Sequence, residues 1–166
     1  FVVVEKSNLF SVIKSIIDLN KNVNLLDIDP GKDTNRTVVT FVGEPNNVIQ
    51  AAFSGIQKAL ELIDMTKHKG AHPRMGATDV CPLIPIRNTT MEECVAYSRI
   101  LAQKVAKELS IPIFLYENSA VTESRQNLSN IRSGEFEKMS KKINSKEWKP
   151  DFGPNKFSNN AGVTAI

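Results

Sequence analysis

The sequence predicts an α+β fold, a ferredoxin-like split β-α-β open sandwich whose mixed sheet carries helices on one face. Two observations point there. Helix-period apolar stretches alternate with short β-branched runs in the order β-α-β-β-α-β, followed by α-β. With 166 residues the chain can bury the core of one domain, which takes in residues 1–166, and is short for two. A sheet covered on one side only leaves its other face in need of a cover.

Val2, Val3 and Val4 read as a short first strand. Residues 9–19 place Leu9, Val12, Ile13, Ile16 and Ile17 at helical spacing. Residues 23–29 form an apolar run ending in Asp27 and Asp29, and Pro30-Gly31-Lys32-Asp33 reads as a turn into a β-branched strand over 37–42. These two runs should pair as an antiparallel hairpin. Residues 46–65 form the longest helical stretch, with Val48, Ala51, Ala52, Ile56, Ala59, Leu60 and Ile63 as its buried stripe. Residues 80–86 read as an edge or bulged strand, because Pro82 and Pro85 each remove a ladder donor. Thr90 with Glu93 has the pattern of a capping box, opening a helix that runs to Leu109. A strand over 111–116 follows, then a helical region over 127–142 broken near Gly134, then loop from Trp148 onward.

A net charge of +3 is too mild to imply nucleic acid, and no stretch interleaves aromatic with basic residues. No apolar run approaches the roughly 20 residues of a bilayer span. Cys81 and Cys94 both read as small core residues of a reducing, cytoplasmic compartment. The chain opens on Phe1 and closes on the strand-like Gly162-Val163-Thr164-Ala165-Ile166, and both ends suggest a piece of something longer.

Chemistry concentrates in residues 67–82, which hold both histidines on backbone that Gly70, Pro73 and Gly76 take out of helix. His68 and His72 are four apart, a metal-binding spacing only on a helix. Gly70 and Pro73 argue against that helix and no third ligand follows, so no metal site is expected. His72 is instead either a proton acceptor, suited by an ordinary imidazole, or a structural side chain. Period-two geometry puts Asp27 and Asp29 on one face and Ile28 on the other. The two carboxylates either orient an imidazole, hold a cationic group, or cap the turn. Arg36 opens the partner strand and could fold back toward them. Arg74 offers a fork for a carboxylate or for a surface salt bridge. The Asn- and Ser-rich segment over 153–162 is either a ligand-covering loop or a linker.

The run His68-Lys69-Gly70-Ala71-His72-Pro73-Arg74-Met75-Gly76-Ala77-Thr78-Asp79-Val80 closely resembles the HKGEHPRMGALDV motif of the glutamate formimidoyltransferase family, in its formiminotransferase N-terminal subdomain. Asp33-Thr34-Asn35-Arg36-Thr37-Val38, Leu62-Ile63-Asp64-Met65, Ile131-Arg132-Ser133-Gly134-Glu135-Phe136-Glu137 and Trp148-Lys149-Pro150-Asp151-Phe152-Gly153-Pro154 are similar to that family too, in order and with nearly constant spacing.

The resemblance implies transfer of the formimidoyl group of N-formimidoyl-L-glutamate to tetrahydrofolate, a co-substrate, in histidine degradation. It implies a second formiminotransferase subdomain facing this one across the folate, and a homo-oligomer at full length. The family's catalytic histidine falls on His72, with Asp29 as its expected partner. Its folate-contacting segment falls on Gly153, Pro154, Asn155, Lys156, Phe157, Ser158, Asn159, Asn160, Ala161 and Gly162. Arg74 or Arg36 would clamp a substrate carboxylate. One departure is that Val2-Val3-Val4 stands where the family has a polar turn, Asn-Phe-Ser-Glu-Gly.

Overall fold

In the computed structural model, residues 2, 3, 14 and 22–166 are described. The expected helix over 9–19 lies outside them except for Lys14, whose backbone is helical.

β1 (Val2–Val3), β2 (Val23–Gly31) and β3 (Arg36–Gly43) form an antiparallel sheet in the order β1-β3-β2, with Val2 opposite Val39 and Asp29 opposite Val38. The hairpin expected from the sequence is present, but its turn lies one step later. Pro30 and Gly31 continue the edge strand, where a missing donor does no harm, and residues 32–35 make the turn. Asn35 takes a positive φ of 47° there, and the Thr34 hydroxyl donates to the Gly31 carbonyl.

A bulge at Leu26 shifts the register between Leu25 and Asp27. Val23 and Leu25 pack inward below it, whereas Asp27 and Asp29 stand exposed. Without the extra residue, period-two alternation would carry Asp27 and Asp29 to the face of Val23 and Leu25.

α1 (Pro45–Leu62) starts with Pro at its first position, where a missing N–H costs nothing, and buries Ile49, Ala52, Phe53 and Ile56 against α2 (Met91–Leu109). It ends three residues before the expected Met65, because Ile63 is extended and residues 64–67 turn on the Asp64 carbonyl. α2 opens with the expected capping box: the Thr90 hydroxyl accepts from the Glu93 N–H, and the Glu93 carboxylate accepts from the Thr90 N–H.

β4 (Ile113–Phe114) pairs in parallel with β5 (Thr164–Ala165), so the second sheet is separate from the first. The strand expected over 80–86 is absent. Val80 makes a single parallel bridge to Ala165, and past Cys81 the prolines at 82 and 85 end any ladder, leaving Ile84 and Ile86 exposed. The helical region over 127–142 is two helices, α3 (Leu128–Arg132) and α4 (Glu135–Lys142), parted at Gly134 with φ 89°. No described helix is long and apolar enough to cross a membrane.

Candidate functional site

The chain leaves α1 through a turn built on Asp64, whose carboxyl is held below its ordinary value chiefly by the Thr66 side chain and by Lys67. The loop beyond it is fastened to the tip of the hairpin. A carbonyl can only accept, so His68 Nε2 carries a proton and donates to the Asn35 carbonyl at 2.9 Å. Asn35 Nδ2 donates to the Lys69 carbonyl and the Ala71 N–H donates to the Asp33 carbonyl. Gly70 permits this contact, since a β-carbon there would lie 2.3 Å from the Thr34 carbonyl oxygen.

Between the hairpin tip and the loop lies a narrow cleft lined by Arg36, His68, His72 and Arg74, together with Met65 and Gly76. His72 keeps 14% of its side chain exposed, yet its Nε2 is buried and stands 3.7 Å from Asp79 Oδ2. Asp79 is fully buried. Its Oδ1 accepts from the Met75 N–H at 2.8 Å, and its Oδ2 accepts from Arg132 Nε at 3.1 Å and Nη2 at 2.5 Å.

Arg74 is occupied by its own partners. It donates to Glu137, Glu135 and the His68 carbonyl, and its hydrogen bond holds the Glu137 carboxyl below its ordinary value. Arg74 thus makes salt bridges to Glu135 and Glu137. Arg36 makes no ion pair with Asp27 or Asp29, and its Nε is buried without a partner. Asp29 makes no hydrogen bond or ion pair with His72 and stands exposed on β2; the carboxylate nearest the imidazole among the ion pairs is Asp79.

The segment 153–162 forms the back wall of the histidine loop. Asn160 O accepts from the Met65 N–H, Ala161 O from the Ala77 N–H, and Met75 O from the Val163 N–H. Phe157 packs on Phe136 at 5.1 Å between ring centroids. Ser158 closes a turn onto Ala161 and Gly162, while Asn155, Lys156 and Asn159 face outward beside the half-buried Pro154. Gly153 has φ 88° and passes close over the Ile111 carbonyl.

Residues 5–166 match the formiminotransferase domain, N-terminal subdomain. The chain belongs to that family. It is 49% identical to a formimidoyltransferase-cyclodeaminase of Dictyostelium discoideum over 154 residues, which cover 93% of this chain and 28% of that protein. It is 52% identical to the mouse protein of the same name, over 84% of this chain and 26% of the relative. It is 50% identical to a glutamate formimidoyltransferase of Streptococcus pyogenes serotype M1, over 87% of this chain and 48% of the relative. The chain therefore spans half or less of the length of these formiminotransferase relatives.

Sequence reasoning passed over Asp79, Arg132 and Glu137. Asp79 stood in the histidine motif and Arg132 in a second motif, but nothing in their local pattern says that 53 residues of chain bring them together.

Proposed function

We propose that the protein carrying this chain transfers the formimidoyl group from N-formimidoyl-L-glutamate to tetrahydrofolate, with His72 as general base. The observation that carries the reading is His72 itself: a partly exposed imidazole lining a cleft, backed by a buried carboxylate, in a chain of this family. The names of the relatives support formimidoyl transfer.

The chemistry suits these residues. The N5 amine of tetrahydrofolate attacks the amidine carbon, forming a C–N bond and a tetrahedral centre. Attack acidifies the N5 proton, which His72 removes and later returns to the glutamate nitrogen as the second C–N bond breaks. Asp29, exposed on the hairpin, would hold the protonated amidine and sharpen its electrophilicity, and Arg36 or Arg74 would clamp a substrate carboxylate. Residues 153–162 would line one wall of the folate site and the second subdomain the other, in a cytoplasmic oligomer. No step requires a metal or a covalent enzyme intermediate.

A second reading has its own support. Because the chain spans 48% or less of its relatives, this subdomain taken alone would be a folate-binding or partner-pairing module without turnover. Transfer measured with the chain alone, and again with the second subdomain added, separates the two. In the intact protein His72→Ala should lower kcat by about 10²–10⁴-fold, the usual worth of general-base catalysis. Turnover near wild type in that variant would remove His72 from the mechanism.

A further inference from the structure

We propose that Asp79 and Arg132 act as a positioning pair that holds His72 in its Nε2–H tautomer, so that Nδ1 is the nitrogen that takes the substrate proton. The inference rests on the reading of His72 as the base.

Three observations support it. Asp79 is fully buried, and both of its oxygens are occupied by fixed donors, Oδ1 by the Met75 N–H and Oδ2 by the Arg132 guanidinium. A carboxylate gripped on both oxygens does not rotate, so it presents one fixed lone-pair direction to the imidazole. Nε2 stands 3.7 Å from that carboxylate and, among the described residues, is buried with no hydrogen-bond partner. A lone pair on Nε2 would meet the carboxylate lone pairs at close range. A proton on Nε2 turns that repulsion into attraction. Neutral imidazole carries one N–H, so the proton on Nε2 leaves Nδ1 with its lone pair.

Arg132 supplies the second half of the device. A buried carboxylate needs a neutralising charge, and here the guanidinium provides it. With the Asp79 charge already balanced by the guanidinium, the carboxylate does not depend on His72 for a counter-charge. When Nδ1 takes the proton, the imidazolium shares the Asp79 charge with Arg132 and is stabilised for the return transfer.

The other charged or titratable groups around the cleft do not compete. His68 donates through Nε2 to Asn35, so in the neutral ring its Nδ1 offers no proton. Arg74 is matched by Glu135 and Glu137, and Arg36 lies on the hairpin side. Tyr116, within electrostatic reach of Asp79 and Arg132, is pushed up to about 12 by burial and stays neutral.

The test uses the intact protein labelled with ¹⁵N-histidine, in which this chain contributes two imidazoles, and two-bond ¹H–¹⁵N correlation assigned against His72→Gln. The wild type should show the Nε2–H form at His72. Asp79→Asn keeps an acceptor for the Met75 N–H but removes the charge, and should redistribute the tautomers. It should also lower kcat by about 10²–10⁴-fold while KM changes by less than about threefold. Arg132→Gln should move the acidic limb of the kcat profile to higher pH, with activity recovered in alkaline buffer, and Arg132→Lys should restore the limb.

An Nδ1–H form in the wild type, a measurement that needs no variant, would overturn the proposal. So would unchanged tautomers in Asp79→Asn, or an equal loss at every pH in Arg132→Gln. A wild type that shows Nε2–H but no transfer would overturn the proposed function and leave the positioning pair standing.

Discussion

Gly76 and Gly162 form an antiparallel bridge in which neither position has room for a β-carbon. A β-carbon on Gly162 would lie 2.1 Å from the Met75 carbonyl oxygen, and one on Gly76 would lie 2.2 Å from the Val163 carbonyl oxygen. Gly162 also has φ 71°, which an L side chain rarely adopts. This contact ties the segment 153–162 to the histidine loop, backbone to backbone. Gly162→Ala combines backbone strain with overpacking and should cost about 2–4 kcal/mol. Urea unfolding of the variant should show a lower midpoint, and a midpoint equal to wild type would mean that the two segments are not coupled as described.

Arg74 acts on the other side of the same loop, through stability. Its hydrogen bond lowers the folded value of Glu137 beneath the ordinary 4.5. The stabilisation is then fully present above about pH 4.5 and is lost as the pH falls through the lower, folded value. Glu137 is 60% exposed, so solvent screening limits the gain to about 1 kcal/mol or less. Glu137→Gln should be slightly less stable than wild type at pH 7 and indistinguishable from it near pH 3. A stability gap that widens on acidification would contradict the assignment.

The Thr90 capping box fixes where α2 begins, and α2 packs on α1 through Leu101 and Val105. Thr90→Ala removes the acceptor of the Glu93 N–H, and should cost about 1 kcal/mol in chemical denaturation. Thr90→Ser keeps the acceptor and should lose much less; equal losses in the two variants would assign the effect to packing.

The local devices were legible in the sequence, and the long-range ones were not. Thr90 with Glu93, Gly134 between two helices, and the acids on one face of the hairpin follow from patterns that span a few residues. The strand expected over 80–86 failed because β-branched residues there match strand composition while Pro82 and Pro85 forbid the ladder. The final strand was readable from the strand-like residues Val163, Thr164, Ala165 and Ile166. Its neighbours Phe114 and Val80 were not, since parallel pairing leaves no turn to mark it. Within the site, His72 stood out by residue type and by its glycine and proline neighbours. Asp79 did not, because its role is made by complete burial beside Arg132, which only the folded chain supplies.

Arg36 gives the sharpest test of substrate binding. Arg36 lines the cleft with His72 and has no ion pair among the described residues, whereas the Arg74 guanidinium, whose Nε is likewise buried without a partner, donates through its Nη groups to two carboxylates and a carbonyl. An arginine with donors to spare suits a substrate carboxylate, and such a charge-assisted bond contributes about 1.5–3 kcal/mol. If the proposed function holds, Arg36→Met in the intact protein raises KM for N-formimidoyl-L-glutamate by about 10–100-fold, with kcat and the KM for tetrahydrofolate little changed. Arg74→Met should instead leave that KM nearly unaltered and lower the melting temperature, since it strands the His68 carbonyl and the two glutamates. The opposite pattern, a KM effect at Arg74 and a stability effect at Arg36, would exchange the roles of the two arginines.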